Sequence, residues 1–101
     1  MDGPRPAIDE EAIAILARHW GIRELALFGS VLRDDFRDDS DVDVLVQFAP
    51  DAQHGLFELA ELKQNLEELF RRRVDLVERG SLRNPFRRKH ILETAKVVYA
   101  A

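Results

Sequence analysis

No cysteine occurs in the sequence. That excludes a disulfide scaffold and thiolate metal sites, and it fits a reducing compartment. Apolar runs are far too short to cross a bilayer, and the acidic N-terminal stretch is unlike a signal peptide, so a cytoplasmic location is expected. Repeats, linkers and low-complexity segments are missing as well. Neither G-x-x-x-x-G-K-[ST] nor G-x-G-x-x-G is present, which removes the P-loop and dinucleotide-binding readings. Positive charge is in deficit. The formal net charge of −4 argues against general nucleic-acid coating.

What is there describes an ordinary soluble globular protein. Hydrophobic residues make up 46% of the chain and charged ones 34%. A length of 101 residues predicts one domain over 1–101, with one modest core. The charges are unevenly spread. Asp34, Asp35, Asp38, Asp39, Asp41 and Asp43 crowd together, while Arg71, Arg72, Arg73, Arg79, Arg83, Arg87 and Arg88 gather later. An acidic stretch beside a basic half suggests a site that handles cations and phosphates together.

Hydrophobic periodicity divides the chain into alternating elements. A helix is expected over 9–21, where Ile13, Leu16, Ala17 and Trp20 share a face, Asp9 caps the start and Gly21 the end. "ELALF" (24–28) reads as a buried strand, followed by about two helical turns of "SVLRDDF" with Ser30 as N-cap. A second strand covers 42–48. A long helix covers 55–73, with Leu56, Leu59, Leu62, Leu66, Leu69 and Phe70 as its apolar stripe. "RVDLVE" (73–78) is a third strand. Asn84 and Pro85 open a closing helix over 85–100, with Ile91, Leu92, Ala95, Val98 and Tyr99 facing inward. Only about a dozen residues separate the first two strands, at the lower limit for a parallel crossover. Antiparallel pairing is therefore expected there. The fold class that follows is α/β (α+β): a small mixed sheet of three to four strands with helices packed mainly on one face.

Three features carry chemistry. Asp41 and Asp43 stand two apart at the mouth of an apolar strand, so their side chains share a face. Two carboxylates so placed repel each other unless a divalent cation sits between them, and Mg²⁺ takes one or two carboxylates together with phosphates and waters. Asp75, in a strand interior with Val74 and Leu76 turned the other way, could add a third carboxylate. Gly29-Ser30 lies at a strand-to-helix turn, where backbone N–H groups bind phosphate oxygens, with Arg33 one turn on. Each feature alone also has a structural reading, as an exposed strand end, an edge aspartate or a helix cap. Arg87, Arg88 and Lys89 could grip an acidic partner or contact nucleic acid, but read first as a solvated helix face; His19, His54 and His90 have no motif around them, and Trp20 and Tyr99 are assigned to the core.

Taken together, "GSVLRDDFRDDSDVD" is Gly-Ser, ten residues, then Asp-x-Asp. It resembles the core motif of the DNA polymerase beta-like nucleotidyltransferase superfamily, and the short chain is similar to its minimal nucleotidyltransferase (MNT) family. The resemblance takes in Arg33, Ser40, the apolar run after Asp43, the "VDLV" strand with Asp75 and the closing segment. Asp34 departs from it, since the family often has glycine after the arginine. The resemblance implies a polymerase beta-like fold in which Asp41, Asp43 and Asp75 are catalytic and ligate two Mg²⁺ ions. It further implies that Gly29, Ser30, Arg33 and Ser40 bind the nucleotide. Asp75 could instead accept a proton.

The reaction implied is attack of a hydroxyl on the α-phosphate of a nucleoside triphosphate, with ATP as substrate and pyrophosphate released. Larger members of the superfamily carry a second domain over the metal face, so a partner polypeptide is expected to supply that wall. The resemblance suggests a HEPN-domain toxin, with this chain as antitoxin transferring AMP to a tyrosine of it. A hetero-oligomer or homo-oligomer is thus expected, without membrane or direct nucleic-acid binding. The alternative is a non-catalytic antitoxin that neutralises its partner by occlusion. Transfer to a small molecule such as an aminoglycoside is weaker, for want of an acceptor-binding domain.

Overall fold

A computed structural model describes residues 8–33, 36–37 and 39–101. Asp34, Asp35 and Asp38 of the acidic stretch lie outside the described residues. The first helix, α1 (Glu10–Trp20), begins where the Asp9 side chain accepts the Ala12 N–H at 3.1 Å, and Glu10 and Glu11 complement the positive end of its dipole. It stops at Gly21, whose φ of 68° lets the chain turn left-handed at little cost. Strand β1 (Ile22–Phe28) follows directly, starting two residues earlier than its apolar core suggested.

The expected two-turn helix after β1 is a short 3₁₀ turn, Gly29–Leu32. Ser30 lies inside this turn rather than capping it, and no side chain caps its start. The Arg33 N–H bonds the Ser30 carbonyl at 2.9 Å, closing a three-residue ring, and Arg33 itself is already extended. Strand β2 (Val42–Phe48) matches expectation. Helix α2 (Leu56–Phe70) buries Leu62, Leu66 and Phe70. Its stripe is shorter than expected, because Leu56 is 85% exposed. Strand β3 (Val74–Glu78) and a 3₁₀ turn at Arg79–Ser81 lead to helix α3 (Pro85–Thr94).

The closing segment is the main correction. In place of a helix to residue 100, α3 ends at Thr94 and Lys96–Ala100 form a fourth strand, β4. Ile91, Leu92, Ala95, Val98 and Tyr99 fit a helical period, but Val97, Val98 and Tyr99 are also strand formers. The free edge of β1 decides between the two, since β4 pairs antiparallel with it from Leu27↔Lys96 to Glu24↔Ala100. The sheet order is β3-β2-β1-β4, antiparallel except for the parallel β2–β3 pair.

Alternation along the strands builds two cores. Val42, Val44, Val46, Leu25, Leu27 and Val74 face α1 and α2 in the larger one. Ala26, Phe28 and Leu45 face the other way in the smaller, against Leu82, which follows the second 3₁₀ turn, and Ile91 of α3. Two helices thus cover one face and α3 the other. The α3 start is held by the Asn84 side chain, which accepts the Phe86 and Arg87 N–H groups at 2.9 and 3.1 Å. Asn84→Ala should cost about 1 kcal/mol in urea unfolding, the usual loss for an N-cap.

Candidate functional site

Register places the acidic residues. Asp43 shares a face with Leu45, so it points to the α3 side of the sheet, and Asp75 shares a face with Val77 on the same side. In the parallel β2–β3 pair Asp43 and Asp75 are register partners, on strands about 4.8 Å apart. Across the antiparallel pair Asp43 is opposite Phe28, the last residue before Gly29. Three elements far apart in sequence therefore meet at one end of the sheet: the end of β1 and the starts of β2 and β3.

Gly29 and Ser30 are pressed against Asp43. Gly29 has a φ of 75°, and a Cβ there would fall on Asp43 Oδ2. Only glycine combines that backbone conformation with that approach. The Ser30 backbone N–H donates to the Asp43 carboxylate, and the Arg33 charge also favours its ionised form. Burial outweighs both. Together with the neighbouring charges of Asp75 and Asp41, it pushes the Asp43 carboxyl above the ordinary carboxylate value.

Asp41 is placed differently. Its Oδ1 lies 3.0 Å from Arg73 Nε. The Ser40 hydroxyl, expected at the nucleotide, accepts the Arg37 N–H at 3.0 Å within its own turn. Among the described residues, no group of three acidic or imidazole side chains is gathered closely enough to hold a metal ion by itself, so Asp41, Asp43 and Asp75 do not form the expected three-carboxylate cluster. The donor set nonetheless suits a hard divalent cation. It consists of carboxylate oxygens, the Asp75 charge beside Asp43 is only partly offset by Arg33 and the Ser30 N–H, and Mg²⁺ needs only one or two carboxylates when phosphates and water complete its shell.

A cleft of about 480 Å³ opens beside the Gly29 turn, with Gly29, Leu32 and Arg33 on one side and Arg87, His90 and Thr94 of α3 on the other. Phe28 and Ile91 give it an apolar floor. The sequence alone points to no chemical role for His90 and does not place Arg87 at the nucleotide. The signal was present, since Arg87, His90, Ile91 and Thr94 are spaced i, i+3, i+4, i+7 on one helix face. A larger cleft of about 630 Å³ lies at the opposite end of β2 and β3. None of the three aspartates lines it, and its Arg79 is engaged with Gln47 at 3.0 Å and Glu24 at 3.8 Å. The aspartates do not line the smaller cleft either, but it is the candidate site because Gly29 in its wall lies against the Asp43 carboxylate.

Comparison with known proteins gives the family and the fold. Residues 9–98 match the nucleotidyltransferase domain family. Protein adenylyltransferase MntA of Thermococcus cleftensis is 40% identical over 82 residues, which span 74% of this chain and 81% of the relative. A solved structure assigned as a minimal nucleotidyltransferase superposes with a TM-score of 0.69 at 38% identity, covering 85% of each chain. A tri-AMPylated Shewanella oneidensis HEPN toxin in complex with an MNT antitoxin provides a chain that matches with a TM-score of 0.64 at 24% identity. That match covers 91% of this chain and 70% of the other, and at such identity it speaks for the fold alone.

Proposed function

The chain belongs to the nucleotidyltransferase domain family, and from that premise we propose that it transfers AMP from ATP to a tyrosine hydroxyl of a HEPN-domain toxin, acting as the antitoxin. The observation that carries the catalytic part is the meeting of Asp43, Asp75 and the Gly29–Ser30 turn at one sheet end, beside a cleft walled by Arg33, Arg87 and His90. The relative's name, protein adenylyltransferase, supports ATP as donor and a protein as acceptor. The HEPN complex among structural neighbours supports the kind of partner. A cytoplasmic setting, where ATP is available, and a hetero-oligomer with the toxin follow from this reading. No helix among the described residues is long and apolar enough to cross a membrane.

In this reading the acceptor oxygen attacks the α-phosphorus of ATP, the bond from that phosphorus to the bridging oxygen of the β-phosphate breaks, and pyrophosphate leaves. Asp41, Asp43 and Asp75 would hold two Mg²⁺ ions. Held there, Mg²⁺ would make the acceptor hydroxyl more acidic and would offset charge on the attacking and leaving oxygens. The Gly29–Ser30 turn meets the triphosphate, because Gly29 walls the cleft without a side chain while the Ser30 N–H is held by Asp43. Arg33 and Arg87 flank the same phosphates, and the apolar floor takes the base. The acceptor proton goes to Asp75 where that carboxylate serves as base rather than as metal ligand. The α3 face beyond the cleft is completed by the toxin, which is both wall and substrate.

The test is labelled ATP and Mg²⁺ with the co-expressed toxin, comparing the wild type with Asp41→Asn and Asp43→Asn. Label on the toxin only with the wild type is the expected result. Equal label in both would leave neutralisation by occlusion as the function. Arg87→Ala should raise KM for ATP about tenfold with a smaller effect on kcat, as loss of a charge-assisted phosphate contact does.

A further inference from the structure

We propose that Arg72 and Arg73, which close the connection from α2 to β3, are positioning residues that fix the acidic start of β2 for metal binding. The proposal rests on the assignment of Asp41 and Asp43 as cation ligands given above. Two successive arginines reach back more than thirty residues along the chain to the segment that carries those aspartates. Arg72 Nη2 donates to the Ser40 carbonyl at 3.0 Å and also to the Arg37 carbonyl. Its guanidinium lies 4.4 Å from the ring centroid of Phe36, a residue only 4% exposed within the larger core. Arg73 Nη2 donates to the Asp39 carbonyl at 2.9 Å, while its own carbonyl accepts the Val42 N–H at 2.9 Å. Arg73 Nε takes Asp41 Oδ1, which leaves Oδ2 of that carboxylate for another partner.

The arginines are themselves fixed from behind. Arg71 ends α2 in the left-handed region at φ 57°, with its N–H on the Glu67 carbonyl. The Glu67 side chain accepts the Val74 N–H at 2.9 Å, at the first residue of β3. A continuous set of bonds thus runs from α2 through the arginine turn to the three carbonyls that precede the catalytic strand. Guanidinium suits this work, because its planar fork of donors can span two carbonyls while its face rests on an aromatic ring, whereas an ammonium is a single point. Charge alone does not account for the placement. Two cations beside a cation site oppose metal binding, and an ion pair exposed to 73% at Arg73 and 49% at Asp41 adds little to stability.

That opposition gives the test its sign. Removing a nearby positive charge by itself tightens cation binding, whereas releasing the loop weakens it. Mn²⁺ binding to the purified chain, read from the electron paramagnetic resonance of free Mn²⁺, separates the two, with circular dichroism confirming that each variant is folded. Arg72→Gln and Arg73→Gln are expected to weaken Mn²⁺ binding about tenfold, as loss of a group that orients metal ligands does. Arg72→Lys should weaken it as well, since charge is kept but the fork is lost. Unchanged or tighter binding in the glutamine variants, with Asp43→Asn weakened, overturns the positioning role. Wild-type binding in Asp43→Asn would instead overturn the ligand assignment beneath it. Should the Arg72 variants fail to fold, the exposed Arg73→Gln carries the comparison.

Discussion

Asp43→Asn is expected to lower nucleotidyl transfer by on the order of 10³-fold or more while making the free protein more stable at neutral pH. The activity loss follows from the position of Asp43, which touches both the Ser30 N–H and the neighbourhood of Asp75 and is the aspartate most enclosed by the sheet. The stability gain follows from its raised pKa. The native chain holds the Asp43 proton more tightly than the unfolded chain does, so between the ordinary value and the raised one the native state binds more protons. Stability therefore falls as pH rises through that window, and above it the full cost of the ionised carboxylate is present. Asparagine removes that cost, so the gain should be largest near neutrality and should fade as pH falls through the window. Thermal unfolding across the acid range measures this. Mg²⁺ is expected to raise the melting temperature of the wild type and to leave Asp43→Asn nearly unmoved, because ligand binding stabilises only the form that binds it. A variant less stable than wild type at neutral pH would show that Asp43 is not under electrostatic strain.

Much of this was legible in the sequence, and what was not has a common cause. Asp41 and Asp43 were visible because charged residues in the apolar run of β2 break its pattern. The antiparallel pairing that brings Gly29 beside Asp43 followed from the short connection between the strands. These are local signals or length constraints. The features that escaped depend on distant partners. Residues 96–100 form β4 because the free edge of β1 is available, and no local propensity announces that edge. Ser30 lost its expected capping role because the chain turns in a single 3₁₀ ring at Gly29 rather than starting a helix. Arg72 and Arg73 looked like part of a basic run, and only the parallel placement of β3 beside β2 brings them onto the carbonyls before Val42. The Ser40 hydroxyl also accepts the Arg37 N–H, in a turn too short to read from spacing. Arg87 and His90 went unassigned for a related reason. Their helix face is defined by where α3 lies across the sheet, and the sequence reading had extended that helix through the residues of β4.

Gly29→Ala should be nearly as damaging to transfer as loss of Asp43, for a steric rather than an electrostatic reason. Two penalties coincide at this residue. An L side chain at a φ of 75° costs about 1–2 kcal/mol in the left-handed region. The new methyl would also fall on Asp43 Oδ2, with Asp43 Cγ only 3.2 Å away, so either the carboxylate or the turn must move. A shift of about 1 Å in a reacting group costs on the order of 10²-fold in rate, and here both the turn proposed to bind phosphate and the neighbouring carboxylate are displaced together. A double-mutant cycle separates the two penalties. In an Asp43→Ala background the nearest remaining atom of residue 43 is its Cβ at 3.5 Å, an ordinary contact, so Gly29→Ala should there cost only the backbone strain. Urea unfolding of the four proteins measures the difference. A loss of stability equal in both backgrounds would mean that the glycine serves the turn alone. A smaller loss once the carboxylate is gone would show that Gly29 exists to let Asp43 approach the backbone of the turn.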